Sequence, residues 1–109
     1  MSEIQKIIQH LVAFRDARDW KQFHNAKDLA LALSIEAAEL NELFLWKQPQ
    51  DADIERVKDE LADVFTYAFF LANELNLDVP QIIQNKMDKS ALKYPVEKSK
   101  GTAKKYDEL

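Results

Sequence analysis

Glycine is almost absent from the chain, and this scarcity constrains the fold more than any other feature of the sequence. The 109 residues contain one glycine, Gly101, and three prolines. A fold built from β-strands depends on many tight turns, where glycine and proline are usually required. Alanine, leucine, lysine, glutamate and glutamine are strong helix formers, and they recur throughout this chain. The sequence therefore predicts an all-α protein.

Length, charge and cysteine content restrict the class of protein. A chain of 109 residues fits a single domain, here residues 1–109. The absence of cysteine excludes disulfides and thiolate metal sites, and no apolar segment is long enough to span a membrane. The formal net charge of −4 argues against a nucleic-acid polymer as a partner. Because the N-terminus lacks a basic and apolar leader, we expect a cytoplasmic protein.

Helical periodicity and capping residues predict four main helices, arranged as in a four-helix bundle. The predicted helices span residues 2–18, Asn25 to about Trp46, Asp51 or Asp53 to about Leu75, and Asp78 to Pro95. Residues 96–109 are polar and rich in lysine, so we expect an irregular or mobile tail there.

The third helix is apolar around most of its circumference between Leu61 and Leu75. A helix of this kind is normally buried on most sides. In so short a chain, a subunit interface is the simplest way to bury it. The pattern therefore predicts a homo-oligomer.

Glu36 interrupts an apolar stripe of the second helix. The stripe steps by four residues through Leu29 and Leu33, reaches Glu36, and continues at Leu40. Glu39 lies three residues after Glu36, about 60° away around the helix axis, so both carboxylates point to the same side.

The third helix repeats this arrangement with Glu60 and Asp63, whose line continues into Tyr67. Acidic pairs at this spacing are common on solvated helix faces, where they have no special role. Charges within an apolar stripe are costly unless they are paired or bind a metal, and no lysine or arginine occupies a matching position. A site of four carboxylates without histidine or cysteine suits Mg²⁺ or Mn²⁺.

A phosphate-containing substrate fits such a site. Divalent cations can separate a polyanionic nucleotide from the carboxylates, polarise a phosphoryl group and activate water. With a single glycine, the chain has no glycine-rich phosphate-binding loop. Metal ions, helped by lysines, would therefore have to bind the phosphates.

The spacing Glu36-x-x-Glu39 followed by Glu60-x-x-Asp63 resembles the signature of the MazG-like all-α nucleoside triphosphate pyrophosphohydrolases. Flanking segments strengthen the resemblance, especially to the dCTP-pyrophosphatase branch of that family. They are Arg18-Asp19-Trp20 with Phe23-His24, residues 29–33, residues 39–47, Lys86-Met87 and Lys93-Tyr94-Pro95. The resemblance covers roughly residues 14–95.

The resemblance implies a reaction and an assembly. Members of this family cleave between the α- and β-phosphates, releasing a nucleoside monophosphate and pyrophosphate, and they clear unwanted nucleotides from the pool. The four carboxylates would hold Mg²⁺, or Mn²⁺ as a substitute, and would serve as the catalytic residues. The family also implies a homo-oligomer, often a tetramer assembled as a dimer of dimers.

The resemblance also implies substrate-binding residues. They are Trp20, Trp46, Tyr67, Lys86, Ser90, Lys93 and Tyr94. The two tryptophans offer stacking faces for a base, although both would equally suit a core or an interface. The two lysines match positions near the phosphates, although lysines near a helix end also interact favourably with the helix dipole. Ser90 departs from the family pattern, where asparagine is common, so dCTP, dATP and other deoxynucleotides stay open as substrates.

Two other functions stay open at this point. The chain could form a non-catalytic oligomeric module that binds a nucleotide or another protein. It could also form a structural bundle whose acidic pairs face bulk water.

Overall fold

The all-α prediction is confirmed by the computed structural model, which describes all 109 residues and contains only helices and connecting turns. The five α-helices are α1 Glu3–Ala17, α2 Ala26–Glu42, α3 Ile54–Glu74, α4 Val79–Lys93 and α5 Val96–Ser99. Short 3₁₀ turns cover Lys21–Phe23, Pro49–Asp51 and Tyr106–Glu108. The four predicted main helices are all present.

Capping side chains begin the four main helices where the sequence predicts. Ser2 forms a capping box with Gln5 at the start of α1, each side chain bonding the backbone N–H of the other. Asn25 accepts a hydrogen bond from the Asp28 N–H at 2.9 Å. Asp53, the second of the two candidates, caps α3, and Asp78 caps α4. These bonds satisfy N–H groups that a helix start leaves free.

The second helix ends earlier than predicted, at Glu42 instead of about Trp46. After Glu42 the backbone N–H groups of residues 43–45 each bond to the carbonyl three residues before, which tightens the chain into a turn. Trp46 then adopts a left-handed backbone conformation with φ of 61°, which no α-helix can include. Residues 43–46 therefore form a turn.

The chain divides into two compact units, Met1–Leu77 and Asp78–Leu109. A single domain over residues 1–109 stays a prediction. In the first unit, α3 packs against both α2 and α1. Its core includes Leu29, which is 2% exposed, and the buried side chains Leu43, Phe70 and Ala72. The aliphatic stripe of α2 thus packs inward, as its period predicts.

The third helix keeps apolar side chains exposed within one chain. Phe65 is 53% exposed and Leu61 is 40% exposed. Only Phe70 and Ala72 of this helix are buried. The predicted burial of α3 on most sides would therefore require a surface that a single chain does not supply, and the homo-oligomer stays a prediction.

The second unit contains α4 and a C-terminal segment that is partly helical. Residues 96–109, predicted as irregular, include helix α5 and the turn Tyr106–Glu108. Pro95 precedes α5 as its N-cap, in an extended backbone conformation. The Ser99 hydroxyl then donates to the carbonyl oxygens of Tyr94 and Pro95. Local hydrogen bonds therefore give this polar segment more structure than its composition suggests.

Candidate functional site

Three carboxylates from two helices converge in the first unit. Glu36 lies on α2, and Glu60 and Asp63 lie on α3. One oxygen from each lies within 4.8 Å of the others, and we call these residues the acidic trio. Because α2 packs against α3, two acidic pairs that are separate in sequence become one cluster.

The electrostatics of the acidic trio are unfavourable in the absence of a cation. Burial, followed by the neighbouring carboxylates of Glu39 and Asp63, raises the pKa of Glu36 from 4.5 to about 7. Burial and the Glu39 carboxylate also raise the pKa of Glu60. The three ion pairs of the chain involve other carboxylates, so no lysine or arginine within 4.0 Å offsets the charge of the acidic trio.

The acidic trio fits a divalent cation. Glu36 Oε2 and Glu60 Oε2 are buried without a hydrogen-bond partner. Buried polar atoms usually have a hydrogen-bond partner. Two buried carboxylate oxygens without one are therefore stabilised by a cation that accepts electron density from both. A hard cation such as Mg²⁺ prefers oxygen ligands of this kind.

Glu39, the fourth predicted carboxylate, lies at the margin of the cluster. It is outside the group whose oxygens lie within 4.8 Å, and its side chain is exposed. Its charge nevertheless contributes to the raised pKa values of Glu36 and Glu60, so it lies beside both. The structure therefore brings all four predicted carboxylates together, three closely and one at the edge.

An apolar cavity of about 500 Å³ adjoins the acidic trio at Asp63. Two predicted substrate-binding residues, Trp20 and Tyr67, line it. The full lining consists of Ile7, His10, Leu11, Phe14, Trp20, His24, Asp63, Thr66, Tyr67 and Phe70. Pockets that bind small molecules are commonly apolar with a few polar groups, and this cavity has that character.

Tyr67 offers the apolar cavity a hydrogen-bond donor, and Trp20 offers it an aromatic ring. Burial and the charges of Glu36 and Asp63 raise the pKa of Tyr67, so its hydroxyl stays protonated and can donate a hydrogen bond. The Trp20 ring meets Phe14 edge to face, with 5.9 Å between ring centroids. The Arg18 guanidinium lies 3.5 Å from the centre of the Phe14 ring and donates to the Phe14 carbonyl oxygen. These contacts hold the segment between α1 and α2, which carries Trp20, against α1.

Sequence reasoning did not place His10, His24 or Thr66 in the site. His24 lies edge-on to Phe70, and its Nδ1 is buried without a partner. Burial and the nearby Arg15 charge lower the pKa of His24, so its imidazole is neutral at pH 7. His10 shares a face of α1 with Ile7, Leu11 and Phe14, which also line the apolar cavity. This helical spacing is the sequence feature that could have placed His10 there.

Trp46 is not among the residues that line the apolar cavity. Its indole is 94% exposed on the turn after α2. The predicted role of Trp46 in substrate binding stays a prediction.

The remaining predicted residues belong to the second unit, where α4 carries Lys86, Ser90 and Lys93. Lys93 Nζ lies 4.7 Å from the centre of the Tyr106 ring, and the Tyr94 ring meets Tyr106 edge to face. Residues 86, 90 and 93 lie on one face of α4 because of their spacing. Their roles in substrate binding stay predictions.

A second, polar cavity of about 350 Å³ adjoins the acidic trio at Glu60. Its lining combines acidic and basic side chains, namely Glu39, Glu42, Leu43, Lys47, Arg56 and Glu60. The acidic trio thus contributes Asp63 to the apolar cavity and Glu60 to the polar cavity. It connects two spaces of opposite chemical character.

The fold and site together define an all-α protein with a carboxylate cluster beside an apolar cavity. None of its helices combines the length and apolar character needed to cross a membrane. Residues 31–109 match the MazG-like family. The chain belongs to this family, as its acidic motif predicts.

Individual relatives agree with the family. The chain is 39% identical over 104 residues to dCTP pyrophosphatase 1 of Mus musculus, covering 88% of this chain and 61% of that protein. It is 40% identical over 104 residues to dCTP pyrophosphatase 1 of Bos taurus, covering 88% of this chain and 62% of that protein. The chain thus spans about three fifths of the length of these relatives.

A solved structure supports the fold independently. A pyrophosphatase from Archaeoglobus fulgidus superposes on the chain with a TM-score of 0.78 and 34% sequence identity. The match covers 87% of this chain and 94% of that one. The predicted MazG-type subunit fold is therefore confirmed.

Proposed function

We propose that the protein hydrolyses deoxynucleoside triphosphates, dCTP or a related dNTP, to the monophosphate and pyrophosphate in a Mg²⁺-dependent reaction. One observation carries the proposal: the acidic trio has two unsatisfied buried oxygens and shares Asp63 with an apolar cavity. A cation site beside a space for a flat apolar group matches a nucleotide, whose phosphates and base lie at opposite ends. The relatives named as dCTP pyrophosphatases support the substrate class.

The residues of the two regions have separate roles in this proposal. Trp20 and Tyr67 contact the base or sugar in the apolar cavity, where an aromatic ring can stack on any base. The acidic trio and Glu39 hold the divalent cation. When bound, the cation supplies charge neutralisation, Lewis-acid polarisation of the phosphoryl oxygens and activation of water.

The chemical step is a displacement at the α-phosphorus. The oxygen of the attacking water bonds to that phosphorus, and a carboxylate of the site accepts the water proton. The bond from the α-phosphorus to the oxygen bridging to the β-phosphorus breaks, and its electron pair leaves with the pyrophosphate. The side chains lining the apolar cavity orient the substrate for this attack and exclude water from the base.

The family resemblance supports further substrate-binding roles, for Trp46 and for residues of α4 and its end. We propose that Lys86 and Lys93 bind phosphate oxygens with Tyr94 beside them, that Ser90 contacts the base or sugar, and that Trp46 stacks on the base. The serine hydroxyl at position 90 makes fewer hydrogen bonds than the asparagine amide common in the family. The preference among dCTP, dATP and other deoxynucleotides therefore stays open, and a substrate panel would reveal it.

The assembly and the cellular role are also proposed. Exposed apolar side chains on α2 and α3, such as Ile35, Leu61 and Phe65, favour a homo-oligomer, which we propose is a tetramer formed from two dimers. The enzyme would remove unwanted dNTPs from the nucleotide pool. Size-exclusion chromatography with light scattering tests the assembly.

The reaction is tested by incubating the protein with each dNTP and Mg²⁺ and identifying the products by ³¹P NMR. We expect monophosphate and pyrophosphate, and loss of turnover in Glu36→Gln and Asp63→Asn. Asp59→Asn removes an exposed carboxylate of α3, the helix that carries Asp63, and is the matched control. Orthophosphate as the only phosphate released, or full turnover by both trio variants, would refute the proposal. Saturable nucleotide binding without cleavage would instead support the non-catalytic binding module.

A further inference from the structure

Two cationic side chains in the polar cavity lack an anionic partner. Arg56 lies on α3 four residues before Glu60, and Lys47 directly follows the turn of residues 43–46. Neither forms an ion pair within 4.0 Å, although both line a cavity that also contains carboxylates. By contrast Lys58, two residues after Arg56, pairs with Glu55 at 3.1 Å. The donor groups of Arg56 and Lys47 are therefore free to bind a ligand.

The chemistry of these donors favours a phosphate ligand. A guanidinium presents paired N–H groups that match two oxygens of a phosphate, and an ammonium adds a compact point charge. A phosphate next to Glu39 and Glu60 would be repelled unless cations lie nearby. Arg56 and Lys47 meet that requirement from the protein side of the polar cavity.

The order of the three regions suggests which phosphates would lie there. The apolar cavity meets the acidic trio at Asp63, and the polar cavity meets it at Glu60. A nucleoside triphosphate has the same order, with a base at one end, the α-phosphate in the middle and the β- and γ-phosphates at the other end. A base in the apolar cavity and an α-phosphate at the acidic trio direct the rest of the chain toward Arg56 and Lys47.

We propose that Arg56 and Lys47 bind the β- and γ-phosphates and stabilise pyrophosphate as the leaving group, an inference that rests on the proposed function. When the bond to the α-phosphorus breaks, its electron pair stays on the pyrophosphate oxygen. The negative charge of the leaving group increases in that step. Cations beside it stabilise the charge more in the transition state than in the bound substrate.

The proposal is tested by isothermal titration calorimetry of the full chain with pyrophosphate and, separately, with the nucleoside monophosphate product, both in Mg²⁺. Arg56→Gln and Lys47→Gln should each raise the Kd for pyrophosphate about tenfold or more, since each loses a charge-assisted hydrogen bond. The Kd for the monophosphate should change less than about twofold in both variants, because its phosphate occupies the α-position.

Two further variants separate local contact from overall charge. Lys58→Gln removes one positive charge from the same helix, outside the polar cavity, and should leave the Kd for pyrophosphate within about twofold of wild type. Arg56→Lys keeps the charge but loses the paired N–H groups, so it should restore part of the affinity. Circular dichroism shows whether each variant is folded. If Arg56→Gln does not fold, the pyrophosphate affinity of Lys47→Gln decides whether the cations of the polar cavity bind this anion.

The outcomes distinguish this inference from the proposed function. If wild-type protein cleaves dNTPs but Arg56→Gln and Lys47→Gln bind pyrophosphate as wild type does, the leaving-group role is wrong and the enzymatic function stands. The same holds if Lys58→Gln weakens pyrophosphate binding as much as Arg56→Gln. If wild-type protein cleaves no dNTP, the proposed function fails, and the pyrophosphate titration still shows whether the polar cavity binds that anion.

Discussion

Replacing Glu36 by glutamine should stabilise the metal-free protein and remove most of the stabilisation that Mg²⁺ gives to wild type. Within the acidic trio, carboxylate oxygens lie within 4.8 Å of one another. Two unit charges at that separation repel by about 3.5 kcal/mol at an effective dielectric constant of about 20. The change removes one of these charges, so the folded state without a cation should be relieved of repulsion.

The pKa of Glu36 gives a second measure of the same effect. A rise from 4.5 to about 7 corresponds to roughly 3 kcal/mol at a pH well above 7. Because Glu36 is partly exposed, solvent screening reduces this value. We therefore expect Glu36→Gln to increase the free energy of unfolding of the metal-free protein by about 1–2 kcal/mol at pH 8.

The measurement is urea unfolding followed by circular dichroism at one protein concentration, at pH 8, with EDTA or with saturating Mg²⁺. Mg²⁺ should raise the unfolding free energy of wild type and have little effect on Glu36→Gln, since the variant lacks one anionic ligand. Asp59→Asn, with its exposed carboxylate on α3, should change stability by less than about 0.5 kcal/mol in both conditions.

Two results would refute this reasoning. One is that Glu36→Gln destabilises the metal-free protein at pH 8, which would mean that Glu36 makes a favourable contact in the folded state. The other is that Mg²⁺ stabilises the variant as much as wild type, which would mean that the cation binds elsewhere.

Three further predictions follow from the same structure. Leu29→Ala, at a side chain only 2% exposed, should lower the unfolding free energy by about 2–5 kcal/mol; a urea-midpoint change equivalent to less than about 1 kcal/mol would contradict its place in the core. The folded-state pKa of Glu36 lies above its ordinary value, so the folded protein holds this proton more tightly than the unfolded chain does. The resulting contribution to stability is complete below pH 4.5 and is lost as the pH rises through about 7. The metal-free wild type should therefore lose stability over that interval relative to Glu36→Gln, and parallel pH profiles of the two proteins would argue against the shift. Trp20→Ala should raise the KM for the preferred dNTP about tenfold, because the base loses a stacking partner. The increase in unfolding free energy from EDTA to saturating Mg²⁺ should be the same as in wild type. An unchanged KM would place the base elsewhere.

The sequence predicts most of the helical framework because its signals are local. Asn25, Asp53 and Asp78 each bond a backbone N–H within the following three residues, so their caps need no tertiary contact. The acidic trio was predictable for a related reason. Glu36 interrupts an apolar stripe whose direction is fixed by helix geometry alone.

Other parts of the site depend on tertiary packing and backbone conformation. The end of α2 at Glu42 depends on a turn whose hydrogen bonds span three residues, which apolar periodicity does not distinguish from a continuing helix. The polar cavity brings Lys47, from the loop after α2, together with Arg56 of α3, and their separation in sequence gives no periodic signal. Such juxtapositions become visible only once α2 and α3 are packed.

Trp46 combines an unfavourable backbone conformation with a proposed role in ligand binding. A bulky residue at φ of 61° costs on the order of 1–3 kcal/mol, whereas glycine adopts this conformation freely. Yet the only glycine of the chain lies at position 101, and Trp46 places a nearly fully exposed indole on the strained turn. Trp46→Gly should therefore give a more stable protein, and any loss of substrate affinity in that variant would measure what the strained tryptophan contributes to binding.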